Sequence, residues 1–216
     1  MRVSPITVAP FARVASRATF AAVAGKIRPA ILSVLVLALV TGGAFPLLVA
    51  VIGRTLFPRH ADGSLVTRGG VVLGSELIGQ EFSRAEYFQS RPSAAGKGYD
   101  GTASGGTNLG PNNPKLTNAI RQLADEYRAR NGLATSAWIP IDAVTRSGSG
   151  LDPDISPANA ALQIPRVARA RGVSEEVVRR LVASHTQGPQ LGFLGHARVN
   201  VLDLNLALDQ SLKRGP

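Results

Sequence analysis

The stretch AILSVLVLALVTGGAFPLLVAVI, from Ala30 to Ile52, holds 23 residues and no charge. As a helix rising about 1.5 Å per residue it would be roughly 34 Å long, enough to cross a hydrocarbon core of about 30 Å. A helix of that length in a soluble core would need a polar face, and this one has none. A signal peptide is the rival reading, because a basic lead precedes the apolar run. Such a leader has an apolar region of about 7–15 residues closed by small residues. This run is longer and closes with AVIGRTLF. The expectation is a single uncleaved membrane helix over residues 30–52.

The placement of lysine and arginine sets the orientation of such a helix. Residues 1–29 carry Arg2, Arg13, Arg17, Lys26 and Arg28 and no acid, which is half of the formal net charge of +10. The other flank, Gly53 to Val72, has Arg54, Arg59 and Arg68 with Asp62 among them. The bias predicts a basic cytoplasmic segment at 1–29, the span at 30–52, and an extracytoplasmic soluble domain at 53–216. Within the span, TGGAFP places Gly42 and Gly43 where a second helix could approach closely, as small residues allow in membranes. Pro46 removes a backbone hydrogen bond and is expected to kink the helix.

The remaining sequence reads as an α+β domain with helices dominating its second half. VVLGSELIG, from Val71, suggests a short strand or hairpin, and SRAEYF, from Ser83, one helical turn. A long irregular segment rich in Gly, Ser, Asn and Pro follows, from Arg91 to Pro114. Leu116, Ile120, Leu123 and Tyr127 recur at helical spacing, and Asn131-Gly132 ends that helix. Ser156-Pro157 forms an N-cap and first turn for a helix that Pro165 is expected to kink or divide. Ser174 opens another helix. A last one starts near Asn200 with Val201, Leu204, Leu208 and Leu212 on one face, although the alternation of leucines from Leu202 to Leu208 also fits a strand.

Catalytic patterns are thin. The chain has no cysteine, so thiol catalysis, disulfides and cysteine-held zinc are excluded. No basic stripe interleaved with aromatics appears, so no nucleic-acid partner is expected. His60, His185 and His196 lie far apart and predict no metal site. Asp142, Asp152 and Asp154 lack the register of a calcium loop and read instead as local caps beside turns. SGSGLDPDISP, from Ser147, is ambiguous. Its glycines and serines, Ser147, Gly148, Ser149 and Gly150, are compatible with an anion cradle before a helix. They equally make a turn leading to an N-cap, and the residues favour that plainer reading.

Several blocks together resemble one family, the C subunit of the Kdp-type potassium-transporting ATPase. They are IRPAILSVLVLALVTGGAFPLLV, FPRHADGSL, GSELIGQEFSRAEYFQSRPSA, SGGTNLGPNNP, SGSGLDPDISPANAALQIPRVARARG and VNVLDLNLALD, in family order, covering about Gly25 to Gln210. The resemblance implies a non-catalytic accessory subunit of an inner-membrane complex that imports potassium at the expense of ATP. Its partners would be a channel-like potassium-binding subunit, a P-type ATPase subunit and a small single-span subunit, besides membrane lipid. It implies a role in assembly, and the family is also described as a catalytic chaperone that raises the ATPase subunit's affinity for ATP. On that description ATP is met through the complex with no covalent cofactor, and SGSG with Gln163 forms the nucleotide contact.

The charge bias and that description conflict, because ATP is cytoplasmic and the bias puts the loop outside. Two other functions compete with the transport reading. One is a membrane-anchored extracytoplasmic hydrolase using Ser149 or an aspartate, and the other an isolated tethered binding module.

Overall fold

The computed structural model describes residues 17–211, with side chains from residue 24 onward. Leu212, expected on the face of the last helix, and residues 1–16 lie outside this range. The chain divides after Ala61 into two compact units.

The first unit is helical. Helix α1 (Arg17–Leu39) passes through a five-residue π turn (Val40–Ala44) into α2 (Phe45–Leu56), and a short α3 (Pro58–Ala61) follows. The stretch Ala24–Leu56 is long and apolar enough to cross a membrane, and none of it is buried within the protein. The helix therefore begins well before Ala30. Pro46 is accommodated rather than breaking the element: the Phe45 N–H reaches back five residues to the Val40 carbonyl. The wider turn takes up the register that a proline disturbs. A Cβ placed on Gly42 would meet nothing within 4 Å, and one on Gly43 only Leu39 Cδ1 at 3.7 Å. Among the described residues of this unit, nothing requires either glycine.

The second unit is α+β. Strands β1 (Leu65–Arg68) and β2 (Val71–Ser75) form an antiparallel hairpin. Gly69 and Gly70 join them with φ of 58° and 80°, the left-handed pair a two-residue hairpin turn demands. VVLGS is thus the second arm of a hairpin whose first arm, LVTR, the sequence reading missed. SRAEYF is a tight turn closed by Tyr87 N–H to the Arg84 carbonyl at 3.2 Å, not helix.

Helix α4 (Pro114–Asn131) is capped by Asn113 and ends on Gly132 in the left-handed region, as its spacing predicts. Strand β3 (Asp154–Ile155), β5 (Arg198–Asn200) and β4 (Thr186–Gln187) make a small antiparallel sheet in the order β3-β5-β4. Helices α5 (Pro157–Arg171), α6 (Glu175–Ser184) and α7 (Val201–Ser211) pack around it. Phe88, Ile155, Ile164, Val167, Val199, Leu204 and Leu208 form the main core. A helix wins over a strand at α7 because Asn200 Oδ1 accepts from the Asp203 N–H at 3.1 Å, capping the first turn. Pro165 does not divide α5. The Ala161 carbonyl it deprives of a donor sits at an exposed position, while Ile164, Val167 and Ala168 anchor the helix on its buried side.

Candidate functional site

The polar centre of the second unit lies along one face of α5. Asn159, Gln163 and Arg166, spaced four and three apart, share a helical face, and all three are buried. Buried polar groups must find partners, and these find one another. Tyr127 Oη donates to Asn159 Oδ1 at 2.8 Å. Gln163 Nε2 donates to the same oxygen at 3.0 Å, and Arg166 Nη2 to Gln163 Oε1 at 2.7 Å. Arg166 Nε donates to Asn131 Oδ1, and Asn131 Nδ2 returns to the Tyr127 carbonyl. The ring closes.

Arg166 is 7 % exposed and its four acceptors are all neutral, the two others being the Ala85 and Tyr87 carbonyls. Burial of a cation among dipoles pulls its pKa down to about 10. Burial also raises the Tyr127 hydroxyl, and the nearby Asp142 charge adds to the effect.

The same side chains solve a backbone problem. Phe88 and Gln89 are buried and belong to no helix or strand, so their amides and carbonyls need partners. Asn205 of α7 accepts from the Phe88 N–H at 2.8 Å and donates to its carbonyl at 2.9 Å. Gln163 does the same for Gln89, at 2.8 and 3.2 Å. Two side-chain amides thus replace neighbouring strands. Gln163 is 1 % exposed and engaged on both its oxygen and its nitrogen.

The loop Ser147–Gly150 is held elsewhere. No hydrogen bond joins it to Gln163 among the described residues. Ser149 O accepts from the Gly105 N–H at 2.8 Å and from Ser104 Oγ at 3.0 Å, and Ser93 Oγ donates to Gly150 O at 2.6 Å. Gly150 has φ of 68°, and a Cβ there would come within 2.6 Å of the Ala95 nitrogen. The glycine is thus required by close backbone approach. Gly148 and Ser149 are exposed.

At the start of α5, Ser156 Oγ accepts from the Asn159 N–H at 3.0 Å. The Asp142 carboxylate accepts from the Ser156 N–H, Ser156 Oγ and Asn159 Nδ2 at 2.8–2.9 Å. An anion belongs at a helix N-terminus, and the protein's own carboxylate occupies it.

Among the described residues, Ser149 Oγ approaches only Ser147 Oγ, at 3.4 Å, and the Leu151 N–H, with no histidine or carboxylate hydrogen-bonded to it. Asp152 pairs with Arg91 at 2.7 Å and Asp154 with Arg198 at 3.2 Å. Burial, then the Asp152 charge, raises the Asp154 pKa. Among the described residues no cluster of three or more His, Asp or Glu could hold a metal. Sequence reasoning missed Gln89, Asn205 and Arg166, and it read Asp142 as a local cap where the residue caps a helix start 14 positions on. Only the i, i+4, i+7 run of polar residues in α5 announced any of them.

Comparison with known proteins covers both units. The family described as "KdpC: K+-transporting ATPase, c chain" matches residues 27–210. Proteins called potassium-transporting ATPase KdpC subunit from Mycobacterium bovis and Variovorax paradoxus are 51% and 53% identical. Each alignment spans 86% of this chain, and 98% and 96% of the relative respectively. One from Rhodopseudomonas palustris is 49% identical over 88% of this chain and 98% of its own. With the family match running through both the membrane-length helix and the α+β unit, the chain belongs to the KdpC family, the c chain of K+-transporting ATPases.

Proposed function

We propose that the chain is the non-catalytic accessory subunit of an ATP-driven potassium-import complex in the inner membrane. One helix anchors it, and the α+β unit lies outside the cytoplasm. The observation that carries this is the family match over 27–210, which takes in helix and domain together. Relatives named as subunits of a potassium-transporting ATPase supply the assembly. The companions are a channel-like potassium-binding subunit, a P-type ATPase subunit and a small single-span subunit. Gly42 and Gly43 receive a neighbouring helix, since the chain's own packing leaves the space beside them open.

Ser147–Gly150 and Gln163 act as structure and not as a nucleotide site. Support comes from the Asp142 carboxylate at the α5 N-terminus and from the saturated hydrogen bonding of Gln163. Any effect of this subunit on the ATPase subunit's affinity for ATP then passes through subunit contacts.

Extraction in mild detergent tests the assembly: the chain should emerge with larger multi-span companions, and emergence alone would defeat the proposal. A reporter active only outside the cytoplasm, fused after Gln210, should be active. Activity only of a cytoplasmic reporter would reverse the orientation and reopen the ATP contact.

A further inference from the structure

Beside the Gln163 clamp lies a cleft of about 260 Å³, lined among others by Glu81, Gln89, Tyr99, Glu126, Tyr127 and Arg130. Three features mark it as built to receive something. Gln89 is only 9 % exposed, and its oxygen accepts from Arg130 Nη1 at 2.7 Å. Its amide nitrogen has no partner among the described residues, yet is not sealed from solvent, so it faces the cleft that Gln89 lines. A donor left open toward the cleft is available to a ligand's acceptor.

Tyr99 holds φ of 54°, which an ordinary side chain adopts only at a cost. It is fixed there by its N–H to Ser93 Oγ at 2.8 Å and its hydroxyl to the Arg91 carbonyl at 2.6 Å. That strain keeps an aromatic wall on the cleft.

The charges lining the cleft also form no ion pair with one another among the described residues. Glu126 and Arg130 are four apart on α4, the spacing of a helical ion pair, but Arg130 turns to Gln89 instead. Glu126 takes only Gln122 Nε2, at 2.8 Å, and Glu81 forms no ion pair among the described residues.

We infer that this cleft receives an extended polypeptide segment of a companion subunit that carries a lysine or arginine. Two carboxylates against the one Arg130 guanidinium leave the lining net acidic, which favours a cationic side chain. The free Gln89 amide suits a backbone carbonyl, and the aromatic walls suit the chain between. Gln163, by holding the Gln89 backbone, is a positioning residue for this docking. The inference rests on the assembly reading above.

The test uses the intact complex in membranes, with a benzophenone amino acid replacing the exposed, cleft-lining Ser83. Irradiation should join the chain to a companion subunit, and mass spectrometry should place the adduct in a segment with a basic residue. In the same background, Glu81→Gln with Glu126→Gln should lower the adduct yield about tenfold, the equivalent of one or two exposed charge-assisted bonds. Neither carboxylate has an internal ion pair, so the melting temperature should not move. Companions that co-purify without an adduct at Ser83 would overturn the cleft and leave the assembly standing. An adduct only to lipid or to a second copy of this chain, or a yield indifferent to the two substitutions, would overturn it too. Loss of all companions from the unsubstituted complex would sink the assembly reading, and this inference with it.

Discussion

The two units answer the same demand, that every backbone polar group be satisfied, in opposite ways. The helix from Arg17 to Leu56 satisfies its backbone internally and, from Ala24 to Leu56, leaves its apolar side chains exposed, a solution that suits a segment in lipid. The α+β unit lets long stretches of backbone run irregularly and satisfies them with side chains, above all Asn205 and Gln163 on Phe88 and Gln89. The first solution depends on surroundings and little on any one side chain. The second depends on a few amides and one guanidinium.

The comparison breaks most visibly at Arg166. Arg166→Met should strand the Asn131, Ala85 and Tyr87 acceptors, Gln163 Oε1 keeping the Gln89 N–H, and cost about 3 kcal/mol or more. Thermal melting of the full chain in detergent measures it, and a loss under about 1 kcal/mol would refute the weight given to the network.

Gln163→Ala comes next. It strands the Gln89 amide and carbonyl, so a loss of about 2 kcal/mol is expected. Transport should fall only as far as subunit retention falls. A several-fold loss of apparent ATP affinity with full retention would restore the nucleotide contact.

Tyr99→Phe is milder, about 1 kcal/mol at neutral pH for the lost bond to Arg91 O. It also sharpens the pH dependence. Burial first, then the Glu81 charge, raises the Tyr99 hydroxyl to about 12 against Arg130's opposing charge. An unfolded tyrosine titrates near 10. The folded form therefore keeps its proton longer, its stabilisation is complete below about pH 10, and it is lost as pH rises toward 12. Tyr127 acts in the same direction and Arg166, with its lowered pKa, in the other. Alkaline unfolding followed by tyrosine absorbance should be shallower in Tyr99→Phe; an unchanged slope would show that Tyr99 is not held neutral.

Gly42→Leu with Gly43→Leu should barely change the melting of the α+β unit, by less than about 0.5 kcal/mol. It should nonetheless abolish co-purification with the companions. Normal assembly of the double variant would make the glycines passive.

How legible each region was follows from the same contrast. The membrane-length helix, the α4 spacing and the Ser156 and Asn200 caps were readable because each is a local pattern with one physical meaning. The β1–β2 hairpin was legible in principle through Gly69-Gly70, a turn signal the reading passed over. The candidate site was half legible. SGSG drew attention for its composition; in the fold, Gly150 is where backbone passes close to Ala95 and Gly105.

The sequence by itself determined that one segment must leave soluble surroundings, that the rest is α+β, and that no thiol chemistry is available. Those are consequences of hydropathy, periodicity and composition, which act over a few neighbouring residues. Only the tertiary structure decided what Gln163, Asn205, Arg166 and Asp142 do. Besides the local bonds within α5, their partners lie 14 to 117 positions away in the chain, and nothing local specifies which distant carbonyl a buried amide will meet. Burial turns those meetings from optional into obligatory, because an unmet polar group in a dry interior costs more than the bond itself contributes in water.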